Sequence, residues 1–341
     1  MKKIISLILA VVIACSLLSF ASCSKAEPLK FGVGIIANYA KATDADGDTN
    51  GAGQVDATVA TVLLDKDGKI VKCALDAVQN KVAWTSKGEL VDAGEFKTKY
   101  ELGTDYGMAA YGTDLNGDGV VKEWNEQADI FVESVIGKTV DEVKALVVEG
   151  YGTEEVQTAG CTMAIADYVT AVEKAVANAV ESEATAEDTL KIGVVSSAGH
   201  DNKAASDDGD GLFQVDTHFA VAVTNAEGKV VVAKTDALQA KFTFDAKGKS
   251  TLDTKTEIKT KYELGTDYGM AAYGTDLNGD GVVKEWNEQA DAFNAAIVGK
   301  TADEIAGLVV KGYGTDEVQT AGCTMAISDM VAAAVKAATV A

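Results

Sequence analysis

The sequence predicts an α+β fold made of two tandem copies of one domain. Residues 97–129 recur letter for letter as residues 259–291, and residues 150–165 recur with one substitution as residues 312–327. In each copy, a strand–turn–strand pattern precedes segments with helical periodicity, which favours antiparallel strands covered on one side by helices. Two units of this length are typical of two folded domains, because a solenoid stacks several short repeats.

Each copy begins with strands rather than helices. Alternating, β-branched segments flank an Asp-Lys-Asp-Gly turn in the first copy and Asn-Ala-Glu-Gly in the second, a pattern typical of β-hairpins. The residues before the first hairpin are rich in Asp, Gly and Asn, which predicts a loop. The predicted strands are residues 31–37, 55–64, 69–78, 215–224 and 229–238, and the predicted loop is residues 41–53.

Helices follow the hairpin in both copies. Trp124, Ala128, Phe131 and Val135 recur at helical spacing and form one apolar face. A Thr-x-x-Glu sequence forms a capping box at the start of a second helix and occurs in both copies. The predicted helices of the first copy are residues 122–136, 140–148 and 164–180, with capping boxes at Thr139 and, in the second copy, Thr301.

Composition limits the classes of function. The 341 residues are 47% hydrophobic, so the chain is globular, and the net charge of −22, with no arginine, excludes nucleic acid as a partner. The predicted organisation is a signal peptide at residues 1–23, a tether at 24–29, a first domain at 30–176, an acidic and partly helical linker at 177–189, and a second domain at 190–341.

The first 23 residues predict export and lipid anchoring. Lys2 and Lys3 precede an apolar stretch that ends Phe-Ala-Ser-Cys, which resembles a bacterial lipoprotein signal. In such signals the cysteine becomes the lipidated N-terminus, so we expect Cys23 to hold the chain on the extracytoplasmic face of the cell membrane. Cys15 ends a second, shorter match and is the alternative.

A Thr-Ala-Gly-Cys-Thr segment ends both copies just before the last predicted helix. A threonine hydroxyl at a helix N-terminus lies beside free backbone N–H groups, where a phosphate is stabilised. A simple N-cap role for the threonine explains the same pattern. The candidate residues for this site are Gly160, Cys161 and Thr162, with Gly322, Cys323 and Thr324 in the second copy.

This segment, together with the preceding hairpin and the ELG–DYGM, EW–EQA and GKT–DE series, resembles the FMN-binding domain family. The closest likeness is to its membrane-anchored lipoprotein branch, described as a major membrane immunogen. In flavinylated members the pattern is about Asp-x-x-Ser/Thr-Gly-Ala-Thr, and a flavin transferase joins FMN to the last threonine. The resemblance covers most of each repeat and implies that Thr162 and Thr324 carry FMN for electron transfer with a membrane redox partner.

Two departures from the family pattern leave the mode of flavin binding open. Ala159 stands where Ser or Thr is expected, and Val156 stands where Asp is expected. Covalent FMN, non-covalent flavin and no flavin are therefore all compatible with the motif. Candidate walls for a flavin ring are Tyr106, Met108, Tyr111 and Trp124 with their repeat equivalents, which are as typical of a core, and candidate counter-charges are Lys97, Lys99, Lys259 and Lys261.

An Asp-x-Asn-Gly-Asp-Gly segment precedes the first long helix of each copy. Oxygen side chains at positions 1, 3 and 5, with glycine at position 6, are typical of an EF-hand-like or dockerin-like calcium loop. Position 12 is Asn125 (Asn287 in the second copy) rather than the usual acidic residue, and an acidic turn is the alternative. The candidate Ca²⁺ ligands are Asp114, Asn116, Asp118, Asp276, Asn278 and Asp280.

Two hypotheses of function follow. The first is a lipoprotein with two FMN-binding-like domains, an electron carrier or ligand-binding protein rather than a stand-alone enzyme, in which the flavin supplies the redox chemistry. The second is a non-enzymatic, calcium-stabilised surface binding or antigenic module without flavin. No catalytic residue is predicted, because neither His200 nor His218 has a histidine counterpart in the first copy.

Overall fold

The α+β class is confirmed by the structure, a computed structural model that describes residues 27–274, 276–277, 279 and 281–339. The strands are β1 (Lys30–Thr43), β2 (Gly51–Leu64), β3 (Ile70–Trp84), β4 (Leu90–Val91), β5 (Val147–Val148), β6 (Tyr151–Gly152), β7 (Val180–Glu181), β8 (Thr189–Ala198), β9 (Gly211–Thr224), β10 (Val230–Phe244), β11 (Val309–Val310) and β12 (Tyr313–Gly314).

The helices follow the strands in the same order in both copies. In the first copy they are α1 (Lys99–Leu102), α2 (Met108–Tyr111), α3 (Trp124–Val135), α4 (Val140–Lys144), α5 (Glu154–Thr158) and α6 (Ala166–Ala177). In the second copy they are α7 (Lys261–Leu264), α8 (Trp286–Ile297), α9 (Ala302–Ala306), α10 (Asp316–Thr320) and α11 (Ser328–Ala338), and short 3-10 turns at Gly103–Tyr106, Gly265–Tyr268 and Met270–Ala272 complete the set.

Long antiparallel strands form one main sheet in each copy. The first sheet has the order β4-β3-β2-β1-β7, and the second has the order β10-β9-β8. The predicted hairpin is confirmed, since β2 pairs with β3 from Gly51 opposite Trp84 to Leu64 opposite Ile70. Its turn is stabilised by the Asp65 carboxylate, which accepts hydrogen bonds from the backbone N–H groups of Asp67 and Lys69.

Three local predictions are wrong. Both ends of the predicted loop at residues 41–53 are strand and only residues 44–50 connect the strands, because β1 and β2 continue their pairing through Thr43 opposite Ala52. The helix predicted at residues 140–148 ends at Lys144, because Val147 and Val148 pair with β6 in a small hairpin. The predicted linker at residues 177–189 contains no helix beyond Ala177, the last residue of α6, since Val180 and Glu181 pair with the start of β1.

Helices cover one face of each sheet. In the first copy, Trp124, Phe131 and Ile165 are fully buried against Val62 and Ile70 of the sheet. The second copy repeats this core with Trp286, Phe293 and Ile327. The apolar face predicted for the first long helix is therefore confirmed as packing.

The opposite faces of the two sheets pack on each other, so each sheet is covered by helices on one face, as expected, and by the other sheet on its second face. The joint core contains residues of both copies, and the rings of Trp84 and Phe244, which occupy equivalent positions, stack with centroids 4.6 Å apart. The molecule thus has four layers in the order helix, sheet, sheet, helix. The domain boundaries given above stay a prediction.

Contacts between the copies occur in reciprocal pairs. The Lys174 ammonium lies 2.6 Å from the Glu263 carboxylate, and the equivalent Lys336 lies 2.5 Å from Glu101. The backbone N–H of Ala45 donates to the carbonyl of Gly248, and that of Ala205 donates to the carbonyl of Gly88, each at 2.8 Å. In each pair of contacts, a residue of the first copy binds a residue of the second, and their equivalents bind in the reverse direction. The two copies are therefore related by an approximate two-fold axis.

Candidate functional site

The Gly-Cys-Thr turn lies between two helices of the outer layer. Helix α5 ends at Thr158 and α6 begins at Ala166, with Ile165 at its N-cap position. Thr162 is therefore not the N-cap, and its hydroxyl does not lie at the N-terminus of α6, so both expected placements are wrong. The chain takes this path because Ile165 is fully buried and its N–H donates to the carbonyl of Gly150, which fixes the N-cap at Ile165, three residues after Thr162. Binding of a phosphate at this turn stays a prediction.

A buried glutamine binds the backbone N–H groups of the turn. The side-chain oxygen of Gln127 accepts hydrogen bonds from the backbone N–H groups of Thr162 and Met163, both at 2.8 Å. Its amide nitrogen donates to the Lys122 carbonyl at 2.7 Å and contacts the Met108 sulfur at 3.3 Å. Gln127 is only 1% exposed, so this amide clamps the turn to helix α3.

In the second copy, Gln289 forms the same hydrogen bonds as Gln127. Gln289 accepts from the N–H groups of Thr324 and Met325 at 2.8 Å and donates to the Lys284 carbonyl at 2.8 Å. Sequence reasoning missed both glutamines, although one signal was present. Gln127 lies three residues after Trp124 on the otherwise apolar face of its helix, where a polar residue needs a buried partner.

The threonine and cysteine side chains of the turn are buried. Thr162 is 4% exposed, and its hydroxyl lies 3.5 Å from the Gln127 oxygen. Cys161 is fully buried, and burial raises the pKa of its thiol to about 12, so the thiolate is absent near neutral pH. Cys323 has the same environment, and all three cysteines in the described part of the chain are unpaired.

The lysine that reaches the turn is Lys122. Gly160 has a φ of 108°, and a Cβ at this position would lie 2.4 Å from the Cε of Lys122, so only glycine lets this side chain cross the turn. In the second copy, Lys284 crosses Gly322 in the same way. Sequence reasoning did not select these two lysines.

The lysines selected from the sequence lie elsewhere. Lys97 is on the surface, where its ammonium lies 3.4 Å from Glu95, and Lys259 pairs with Glu257 in the same way. Lys99 is 9% exposed, and its ammonium lies 4.9 Å from the Tyr106 ring centroid and 5.3 Å from that of Trp124.

Burial lowers the pKa of the buried lysine to about 8, as it does for the equivalent Lys261. The ammonium of Lys99 thus packs against the rings of Tyr106 and Trp124. In the described part of the chain, no hydrogen bond joins it to Thr162.

The aromatic residues suggested as walls of a flavin site separate into core and surface. Trp124 is fully buried, and its indole N–H donates to the Tyr168 hydroxyl at 2.8 Å, so its role is packing. Tyr111 is 63% exposed and meets the half-buried Tyr106 edge to face, with ring centroids 6.2 Å apart. Met108 contacts the glutamine that holds the turn, since its sulfur lies 3.3 Å from the Gln127 amide nitrogen.

The acidic loop of the first copy is held by its own side chains. The Asp114 carboxylate accepts from the N–H groups of Gly117 and Gly119 at 2.7 and 3.0 Å, and Asp118 accepts from the N–H of Val120 at 2.8 Å. Asn116 donates to Asp118 at 3.1 Å. In the second copy Asp276 makes the same two bonds to Gly279 and Gly281, whereas Asn278 and Asp280 lie outside the described residues.

Two oxygens at the end of this loop are buried without a hydrogen-bond partner. They are Glu123 Oε2 and Asn125 Oδ1, at positions 10 and 12 of the loop numbering, and Glu285 Oε2 and Asn287 Oδ1 repeat them in the second copy. Within the described ranges, no group of three His, Cys, Asp or Glu side chains is close enough to hold a metal ion.

The anchoring residue cannot be placed on this fold. Cys23 and the alternative Cys15 lie outside the described residues. Among the residues that the structure does describe, no helix is both long and apolar enough to cross a membrane. Anchoring through Cys23 stays a prediction.

Comparison with known proteins adds no family assignment. No protein-family model, no curated protein and no solved structure matches this chain. The resemblance to the FMN-binding domain family thus depends on the motifs described above, and its implications for function are proposals.

Proposed function

We propose that this protein is an extracytoplasmic lipoprotein, anchored through Cys23, in which each repeat binds FMN and exchanges electrons with a membrane redox partner. The main observation behind the proposal is that, in both repeats, a lysine side chain packs against the glycine of the Gly-Cys-Thr turn. The protein acts as a carrier, because the flavin supplies the redox chemistry and the chain binds and orients it.

The lysines supply the charge that a phosphate needs. In the part of the chain that the structure describes, neither Lys122 nor Lys284 forms an ion pair, so each ammonium is free to pair with an anion. Lysine binds phosphate as a mobile point charge, which suits a side chain that reaches over a turn. The half-buried Met108 contacts Gln127, and the half-buried Tyr106 packs against the same core, so both offer an apolar surface for a ring.

Burial of the threonines supports non-covalent binding over a phosphoester. The Thr162 hydroxyl is enclosed, and the two N–H groups beside it are already bonded to Gln127. A flavin transferase reaches this oxygen only after the turn opens and the clamp breaks. Val156 and Val318 are core residues, which explains why the acidic residue of the family pattern is absent at these positions.

Titration with FMN tests the proposal. We expect the purified protein to quench FMN fluorescence with two equivalents bound, and the double variant Lys122→Ala/Lys284→Ala to bind at least about tenfold more weakly, since each loses one charge-assisted contact. The matched control is Lys97→Ala/Lys259→Ala, which removes surface lysines paired with neighbouring acids. Absence of binding by the wild type, or equal binding by both double variants, contradicts the proposal.

Co-expression with a flavin transferase separates the two modes of attachment. Non-covalent binding predicts peptides containing Thr162 and Thr324 of unmodified mass. A flavin mass on these peptides, lost in Thr162→Val/Thr324→Val, shows a phosphoester instead.

We infer a second candidate function, a calcium-stabilised surface module, from the unpartnered oxygens of the acidic loops. Asn125 Oδ1 stands at position 12, where a calcium loop supplies a ligand, and the same orphan oxygen recurs at Asn287. A bound Ca²⁺ satisfies buried oxygens that otherwise lack a partner. Asp114, Asn116 and Asp118 supply the remaining side-chain oxygens in the first copy.

Thermal unfolding with and without calcium tests this candidate. Because Ca²⁺ binds the folded loop, the melting temperature of the wild type is expected to rise with millimolar calcium. Asn125→Ala/Asn287→Ala is expected to abolish the rise, whereas Asp48→Ala, in a different acidic loop, keeps it. A melting temperature that is the same with calcium and with chelator excludes the calcium site.

The anchor has its own test. Cys23→Ser is expected to release the protein into the medium, because the acyl chain holds it to the membrane. Cys15→Ser serves as the control and stays membrane-bound. Membrane association that persists in Cys23→Ser and is lost in Cys15→Ser assigns the anchor to Cys15.

A further inference from the structure

Two equivalent clefts lie where the repeats meet. The cleft that we call the first has a volume of about 450 Å³ and is formed by β3 and α3 of the first repeat with β8 of the second. The second cleft has a volume of about 530 Å³ and is formed by β10 and α8 of the second repeat with β1 of the first. Both are in the size range of small-molecule sites, which occur preferentially at such boundaries.

The second cleft contains an ammonium group that belongs to the chain. Lys234 Nζ lies 3.3 Å from the centroid of the Tyr262 ring and 3.3 Å from Asp291 Oδ1. The Tyr262 hydroxyl donates to the same carboxylate. A ring face and a carboxylate that converge on one point form a site for a cation.

The first cleft has the same ring and carboxylate without the lysine. The Tyr100 hydroxyl donates to Asp129 as Tyr262 does to Asp291. The residue at the position of Lys234 is Ala74, which lines the cavity. Lys191 is the lysine that lines this cleft, and its ammonium donates to the Thr339 carbonyl at 2.8 Å.

The remaining wall of the first cleft is mostly hydrocarbon, with the carboxyl of Asp76 as a further polar group. Leu75, Val132 and Ile192 line it beside Tyr100. Cys73 also lines it, and burial raises the pKa of this thiol to about 12, so it contributes a neutral, apolar surface. A ligand with a cationic head and a short apolar body complements both parts of the cavity.

We propose that the first cleft binds an organic ammonium ion, whose charged head takes the position over Tyr100 and beside Asp129 that Lys234 takes in the second cleft. Its hydrocarbon part lies against Leu75, Val132 and Ile192. The second repeat thus carries its own cation, whereas the first repeat takes one from solution. This site is separate from the Gly-Cys-Thr turn and does not depend on flavin binding.

Titration of the full-length protein with n-butylammonium chloride at constant ionic strength tests the proposal. Amide and side-chain NMR signals of Tyr100 and Asp129 are expected to shift to saturation at one equivalent bound. Ala74→Lys, which places the chain's own ammonium in the cleft, is expected to bind at least about tenfold more weakly. Lys234→Ala is expected to bind a second equivalent at Tyr262.

Two controls separate a cation site from a simple apolar cavity. Butan-1-ol has the same length without the charge and is expected to bind at least about tenfold more weakly than n-butylammonium. Asp129→Asn keeps the shape of the side chain and is expected to weaken n-butylammonium alone. Equal binding of the alcohol and the ammonium, unchanged binding in Ala74→Lys, or no saturable shift in the wild type overturns the proposal.

Discussion

Single residues decide how each repeat closes its turn, and the glutamine clamp is the clearest case. One amide group satisfies two backbone N–H groups that are buried away from water. Removing a partner of buried donors costs more than the bond itself contributes, because the donors are left desolvated and unpaired. The turn therefore depends on Gln127, a residue that lies outside the sequence motif containing Thr162.

Gln127→Ala tests this dependence. We expect it to lower the free energy of unfolding by about 2 to 4 kcal/mol, because two buried donors lose their acceptor. Glu133→Ala, an exposed position on the same helix, is expected to stay within about 0.5 kcal/mol of the wild type. Urea unfolding followed by tryptophan fluorescence measures both, and equal stability of the two variants contradicts the clamp.

Buried ionisable residues make stability depend on pH. Burial raises the pKa of Asp76 to about 7 and that of Asp236 to about 6, from an ordinary value of 3.8. Between pH 4 and 7 the folded state therefore holds protons that the unfolded state has released, so stability falls as pH rises across this window. The lysines act in the opposite sense, since the folded pKa of Lys99 and Lys261 is about 8 against an ordinary 10.5, so stability rises again between about pH 8 and 9. Above pH 9 the buried cysteine thiols reverse this rise, because burial raises their pKa from 9.0 to about 12.

Melting temperatures measured from pH 4 to pH 10 check this profile. The wild type is expected to lose stability up to about pH 7, to recover between about pH 8 and 9, and to lose stability again toward pH 10. Asp76→Asn/Asp236→Asn is expected to flatten the acidic limb and to keep the recovery, because an asparagine does not titrate. An acidic limb of the same slope in wild type and variant assigns the effect to other groups.

At the scale of elements, glycines set how closely a helix approaches a sheet. A Cβ on Gly34 of β1 would lie 2.2 Å from the Ala171 carbonyl oxygen of α6. Gly193 of β8 repeats this contact with Ala333 of α11 at 2.1 Å. Because backbone atoms form these contacts, neither helix can make room by changing a side-chain rotamer.

Gly34→Ala is expected to destabilise the protein by about 3 kcal/mol or more, because the helix must move away from the sheet. Gly209→Ala is the matched control, since a Cβ there meets nothing within 4 Å. Thermal unfolding of the two variants measures the difference. A small change at Gly34 contradicts the close packing of α6 on β1.

For the whole molecule, the reciprocal contacts make one unit of two repeats. The joint core and the two symmetric ion pairs tie each sheet to the other. The exposed ion pairs contribute little, whereas the apolar core between the sheets contributes most of the association. We therefore expect both repeats to unfold in one cooperative transition.

Trp84→Ala tests cooperation between the repeats. Trp84 is fully buried, stacks on Phe244 and donates its indole N–H to the Gly248 carbonyl at 2.8 Å. Its truncation is expected to cost about 3 to 5 kcal/mol and to lower the melting temperature of both repeats together. Calorimetry checks this, and a shift confined to half of the unfolding enthalpy indicates independent repeats.

The sequence by itself determined the local features of this protein, because their causes lie within a few neighbouring residues. The hairpin between β2 and β3, the apolar face of α3 and the capping boxes at Thr139 and Thr301 all follow from periodicity and turn chemistry. The α+β class follows from their order along the chain. The duplication also identified the same candidate residues twice.

Only the tertiary structure decided which distant groups meet. Gln127 and Thr162 are far apart in sequence, as are Trp84 and Phe244, and no local pattern encodes either contact. The predicted strands were too short because their ends are stabilised by the opposite sheet, whose presence the alternation of residues does not reveal. The difference between Ala74 and Lys234 acquires a meaning only in the folded protein. There Ala74 lines the same cleft as Tyr100 and Asp129, whereas the equivalent Lys234 lies over Tyr262 in the other repeat.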